Sequence, residues 1–309
     1  METTNHGAGI RHWFTKPRDG DLMPPFYLWL GIALLTLFTL GPFVYLLTSS
    51  LSLTRDLLSG HLLPHAPTWL NYRHLVAGTV GSDFFHALRN SFTVSAATTV
   101  LTIVVGTLGG YALARLKFPL RVTLLFVILA MQLLPSISII VPLYVMMRDG
   151  IDFSIPFTGI GWHTPPLLDT NAALIAANLS FSLPYAAWLL SGYLQGVSRE
   201  LEEAAYIDGC GKLGTMTRIL VPLAMPGIAA TAIFTFLNCW DEFIYANAFT
   251  QTVASKTLPI VVREFIGKHS IDWGLMTAGG VVASLPPVII SLVLYRYIVS
   301  GLSAGGVKE

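Results

Sequence analysis

The residues with the most chemistry to offer lie in one polar stretch, 197–222, which reads Val-Ser-Arg-Glu-Leu-Glu-Glu-Ala-Ala-Tyr-Ile-Asp-Gly-Cys-Gly-Lys-Leu-Gly-Thr-Met-Thr-Arg-Ile-Leu-Val-Pro. Ser198 suits a helix N-cap, and Glu200, Glu202 and Glu203 follow it in the first turn, where the helix dipole favours anions. Ala204 and Ala205 are strong helix formers. With Leu201 and Ile207 they put small and apolar groups along one side. Gly209 suits the left-handed residue that ends such a helix. These residues alone predict a short, exposed, amphipathic helix followed by a turn. The chain carries no HExxH, GxSxG or Gly-rich phosphate-binding loop. No catalytic residue is assigned, and the chain cannot hydrolyse ATP by itself.

A second set of polar groups interrupts long apolar blocks: Gln132, Asn178, Asn238, Asp241, Glu242 and Asn247, with Phe236, Trp240 and Tyr245 among them. Polar side chains inside a bilayer mark transport pathways or interhelical hydrogen bonds. Other chemistry is thin. Cys210 and Cys239 form no CxxC pair, and one is in a polar stretch while the other is in an apolar one, so no disulfide is expected. His61, His65, His74 and His86 follow no metal-ligand spacing. No basic tract suits nucleic acid.

The elements that must position these groups are read from the apolar blocks. Of 309 residues, 53% are hydrophobic and only 11% charged, with a mean hydropathy of +0.65. A soluble domain of this size needs far more polar surface. Six blocks, about 26–48, 88–114, 122–147, 171–196, 223–250 and 274–300, are each long enough to cross about 30 Å of hydrocarbon as a helix. They are too long and continuous for barrel strands. The expected fold is therefore an all-α integral membrane protein. Its six-span domain covers 26–300, flanked by tails at 1–25 and 301–309, and a short helix lies between the fourth and fifth spans. Lys and Arg are denser in the two tails, the 115–121 turn and the 197–222 stretch than in the three other loops. That bias puts both termini and the short helix in the cytoplasm. Pro135, Pro142, Pro184, Pro226 and Pro286-Pro287 interrupt the spans, and Gly106, Gly109 and Gly110 suggest close helix contact.

Glu203-Ala204-Ala205, three residues, Gly209, nine residues, then Ile219-Leu220-Val221-Pro222 resembles the EAA loop of binding-protein-dependent ABC importer permeases, usually E-A-A-x3-G-x9-I-x-L-P. Val221 stands where leucine is usual, and Asp208 precedes the glycine. The run Gly301–Lys308 and Asn238-x-Trp240-Asp241 are similar to the carbohydrate permeases of this group, the smaller maltose permease subunit (MalG type) among them. The resemblance implies that the 198–209 helix docks in a cleft of a separate ATPase. Glu203, Ala204, Ala205, Asp208, Gly209, Ile219 and Pro222 would then form the coupling segment. It implies as partners a second, related permease subunit, two copies of a cytoplasmic ATPase and an extracytoplasmic solute-binding protein met by the 148–170 loop. It implies alternating access in a bacterial or archaeal cytoplasmic membrane. No cofactor is expected on this chain; ATP and Mg belong to the partner ATPase. A carbohydrate cargo makes Asn178, Asn238 and Asp241, with the faces of Phe236 and Trp240, the expected substrate pathway. The alternatives are another solute, such as a glycerol-phosphate-like compound, and an ion-coupled secondary transporter.

Overall fold

The computed structural model of the chain describes residues 25–61, 63–150, 152–154, 161–267 and 271–305. Of the two expected tails, 1–25 and 301–309, residues 1–24 and 306–309 lie outside the described residues, while 301–305 continue the last helix. The molecule is helical. Helix α1 (Pro25–Ser50) is apolar on every side, and its large side chains stay exposed to its surroundings. Such a surface needs lipid or another apolar chain around it. Helix α2 (Gly78–Arg115) starts well before Leu88, the expected edge of the second span. Helices α3 (Arg121–Gln132) and α4 (Ile140–Asp149) follow, then a small antiparallel hairpin of β1 (Asp152–Ser154) and β2 (Gly161–His163). Helix α5 (Asn171–Gln195) leads to α6 (Arg199–Ile207). Then come α7 (Met225–Trp240), α8 (Ile244–Phe249), α9 (Leu258–Glu264) and α10 (Trp273–Gly305).

Two expected continuous spans are broken. The 122–147 block bends by 96° between α3 and the helical run Ser136–Asp149. Pro135 sits at the break in an extended conformation. Its missing N–H and the restriction it places on Leu134 stop α3 there. The 223–250 block starts at a 76° bend between the helical run Lys212–Leu223 and α7, where Pro222 and Pro226 flank Ala224. It breaks again at Asp241–Phe243 before α8. Among the described residues, four helices are long and apolar enough to cross a membrane, and counting each bent pair as one span makes six.

The bundle is centred on the α2–α5 pair, the most extensive helix contact among the described residues. Gly106 and Gly110 make it possible. A Cβ on Gly106 would lie 2.8 Å from Ala186 Cβ, and one on Gly110 would lie 3.1 Å from both Leu190 Cβ and the Ser191 backbone nitrogen. Small residues spaced by four let two backbones approach where no hydrophobic effect separates protein from lipid. Helix α7 closes the third side, with Gly227 against the ring of Tyr193. At one end of the bundle Ala114, Leu194, Leu220 and Ala224 form a small apolar core that joins the ends of α2, α5 and α7.

Candidate functional site

Helix α6 stands out from the bundle. The Ser198 hydroxyl accepts the Glu200 backbone N–H at 3.2 Å and caps it. Its end is a Schellman motif: Cys210 N–H donates to Ala205 O at 2.9 Å and Gly209 N–H to Tyr206 O at 3.1 Å. Gly209 has φ of 84°, the left-handed conformation that glycine adopts at least cost. No atom lies within 4 Å of a Cβ built there, so the glycine is required for its backbone and not for space.

The two faces of α6 differ. Glu202 and Ala205 are buried against the bundle. Glu203, Ala204 and Ile207 point away from it, and Ile207 is 87% exposed. The sequence placed Ala204 and Ala205 on one side. The helical period separates them: Ala205 belongs to the packing face with Glu202, and Ala204 to the open face with Glu203. Asp208 and Gly209 sit exposed at the end of α6. Beyond them Lys212–Thr215 and a π-helical turn, Met216–Leu220, lead into Val221–Leu223. Ile219 is half-buried and Pro222 exposed, so the second half of the motif forms the elbow into α7.

The Arg115–Glu202 ion pair was not legible beforehand. Arg115 ends α2, and its guanidinium contacts the Glu202 carboxylate with both side chains under one-tenth exposed. Arg115 Nη2 also donates to Val197 O at 2.7 Å. The one available signal was helical periodicity, which puts Glu202 three residues before Ala205 on the inward face.

The breaks in the two bent spans open a cavity of about 440 Å³. It is lined by Gln132 and Ser136 from the first break, Asn178 and Tyr185 from α5, Phe234 and Asn238 from α7, and Asp241 and Glu242 from the second. Tyr185 and Phe234 lie 4.5 Å apart, ring centre to ring centre, forming an aromatic wall. Glu242 takes the backbone N–H groups of Tyr245 (2.7 Å) and Ala246 (3.0 Å), so it caps α8. Asn178 and Asn238 each donate to the carbonyl four residues back, at 2.8 Å in both cases, which leaves their amide oxygens to the cavity or its surroundings. Phe236 and Trp240, expected on the same pathway, do not line this cavity. They stack on each other at 5.6 Å within the core against α10, where the Trp240 indole donates to Ala283 O at 3.1 Å. The period of α7 turns residues 236 and 240 away from residues 234, 238 and 241.

At the opposite end from α6, Asp169 fastens the loops. It accepts from Gln251 N–H (2.7 Å), Thr252 N–H (2.9 Å) and the Thr252 hydroxyl (2.6 Å), with the Ser255 hydroxyl as a further close partner. Burial opposes its charge, but these donors outweigh it and hold the carboxyl well below the usual carboxylate range. Asn90 extends the clasp by donating to Ala254 O and Lys256 O. The stability Asp169 supplies is therefore present above its ordinary, unfolded-state pKa, and it is lost as pH falls towards the depressed folded value. Asp169→Ala is expected to cost about 1–2 kcal/mol at neutral pH. Thermal unfolding in detergent should show this deficit shrinking as the pH is lowered through the acidic range, and a deficit independent of pH would contradict the assignment.

The family model described as the binding-protein-dependent transport system inner membrane component matches residues 103–304. The chain is 34% identical to the sulfoquinovosyl glycerol transport system permease protein SmoH of Agrobacterium fabrum, over 87% of this chain and 89% of that one. It is 33% identical to the trehalose transport system permease protein SugB of Mycobacterium tuberculosis, over 88% and 93%. In fold it resembles a chain of a bacterial ABC transporter involved in the import of the acidic polysaccharide alginate, with a TM-score of 0.71 and 19% identity, covering 88% of this chain and 95% of that one.

Proposed function

From the premise that the chain belongs to the family of binding-protein-dependent transport system inner membrane components, we propose that it forms one half of the pore of a carbohydrate importer driven by a separate ATPase through α6. The chain is a multi-pass membrane permease component of the ABC type and not an enzyme. The observation that carries the coupling role is the open face of α6. Glu203, Ala204 and Ile207 combine a charge, a small residue and an exposed apolar knob on a rigid, doubly capped helix. A cleft with a basic group near its rim is the complement of that face. The inward face of α6 ties it to the bundle, so displacement of the helix moves α2 and α7. The coupling segment comprises Glu203, Ala204, Asp208 and Gly209 at the helix, Ala205 behind it, and Ile219 and Pro222 at the elbow. Both termini and α6 face the cytoplasm.

A carbohydrate cargo is supported by the names of relatives, which include trehalose and trehalose/maltose transport system permeases. The cavity chemistry agrees. Amides, hydroxyls and carboxylates at its wall offer paired donors and acceptors, and Tyr185 and Phe234 offer apolar faces for sugar rings. Asn178, Asn238 and Asp241 are its proposed pathway residues. The remaining partners are a second, related permease, two ATPase copies that hold ATP and Mg, and an extracytoplasmic binding protein.

The experiment is uptake into proteoliposomes containing this chain, its partner permease and its ATPase, with a labelled disaccharide delivered by the binding protein. Uptake is expected only with ATP on the ATPase side. Uptake driven by an ion gradient without the ATPase would overturn the proposal.

A further inference from the structure

The Arg115–Glu202 pair goes beyond a docking surface. It lies on the face of α6 turned toward the bundle, with side-chain exposures of 7% and 8%. Two charges are costly to remove from water, and a well-packed apolar pair of similar volume often stabilises a fold as well or better. A pair kept in such a place does something packing alone does not: once desolvated, its members resist separation more strongly than apolar neighbours that can slide. Arg115 holds the chain at two points, the Glu202 carboxylate and the Val197 carbonyl. It therefore grips both α6 and the strand of backbone that enters it.

The path inward is continuous. Arg115 is the last residue of α2, and its neighbour Ala114 belongs to the small core with Leu194, Leu220 and Ala224. One turn further in, Gly110 brings α2 onto α5 at backbone distance. By contrast Glu203, the adjacent residue, is exposed and makes no ion pair among the described residues.

We infer that the buried Arg115–Glu202 ion pair is the joint that passes movement of α6 to α2, which makes both residues positioning residues for transport. The inference rests on the proposed docking of α6 to the ATPase, and the two are separable. Docking is a property of the outward face, and transmission is a property of the inward one.

The test uses the assembled transporter, with ATPase retention, ATP hydrolysis and uptake measured on the same proteoliposomes. In Glu202→Gln the shape is kept and the charge removed. The ATPase should stay bound and hydrolysis should continue, while uptake per ATP hydrolysed falls about tenfold or more. The exchange variant Arg115→Glu with Glu202→Arg should regain a substantial part of that ratio. Uptake per ATP in Glu202→Gln within about twofold of the unmodified transporter would overturn the inference, given the loss expected from leaving one buried charge unpaired. Failure of both variants to assemble would overturn it as well, because the pair would then serve folding and not transmission. Retained ATPase binding and transport in Glu203→Lys would instead strike the docking proposal and leave this outcome identifiable.

Discussion

Glu203→Lys is expected to abolish ATP-driven uptake while the chain remains inserted and folded. Glu203 is exposed on the open face of α6 and makes no ion pair among the described residues. Reversing its charge therefore costs the isolated chain little, since exposed charges contribute only about 0–1 kcal/mol. At a docked interface the same change removes an attraction and adds a repulsion in a partly desolvated cleft. Truncating one member of a buried interfacial pair costs about 2–5 kcal/mol. With about 1.4 kcal/mol per tenfold, that is a loss of about thirtyfold to more than a thousandfold in ATPase affinity. Pull-down of the ATPase from detergent-solubilised complexes reads it directly. Unchanged pull-down and uptake would remove Glu203 from the interface.

Gly110→Leu should have an effect of comparable size on a different quantity, the integrity of the bundle. Any Cβ at this position meets Leu190 Cβ and the Ser191 backbone nitrogen at 3.1 Å. The obstacle includes backbone, so it cannot rotate aside, and α2 and α5 have to part along their shared seam. Overpacking a close-packed site costs about 1–3 kcal/mol, occasionally more. Here the loss extends to Gly106, four residues away on the same face and closer still to its neighbour. The expected result is a protein that is extracted largely as aggregate, with the remainder unfolding at markedly lower temperature. Gly31→Leu is the control, because nothing lies within 4 Å of a Cβ on Gly31. Size-exclusion profiles of the two variants should differ sharply, and similar profiles would mean the seam is looser than described.

Features that depend on local sequence were legible in advance. Ser198 and Gly209 announced the two ends of α6 because caps are set by one side chain or one backbone conformation. The glycines of α2 announced a close contact, though not with which helix. The bends of the 122–147 and 223–250 blocks were hidden for a physical reason. Hydropathy sums over a window, and a bent pair of helices is as apolar as a straight one. Pro135 and Pro226 were visible, but a proline inside a span is compatible with a mild kink as well as with a full break. The cavity depends on those breaks, yet Gln132, Asn178, Asn238, Asp241 and Glu242, all visible as polar groups inside apolar blocks, line it. Phe236 and Trp240 have suitable side chains, yet the turn of α7 sends them to the core beside α10. Tyr185 and Phe234, which do line the cavity, carry no local mark that separates them from lipid-facing aromatics. The Arg115–Glu202 pair joins residues from two elements far apart in sequence, and no spacing rule connects them.

In the proposed coupling, the open face of α6 is where the ATPase binds. Ile207 tests it most directly, because this exposed apolar residue at the end of α6 has to be covered if docking occurs. Cys210 would first be replaced by Ser so that a cysteine introduced as Ile207→Cys is the sole thiol near α6. The complete transporter, carrying cysteines at the rim of the ATPase cleft, would then be treated with a short bifunctional thiol reagent. A cross-linked product between this chain and the ATPase is expected, with no such product from a cysteine placed at the buried Ala205. Absence of the Ile207 product in a complex that still imports its substrate would rule out docking on this face.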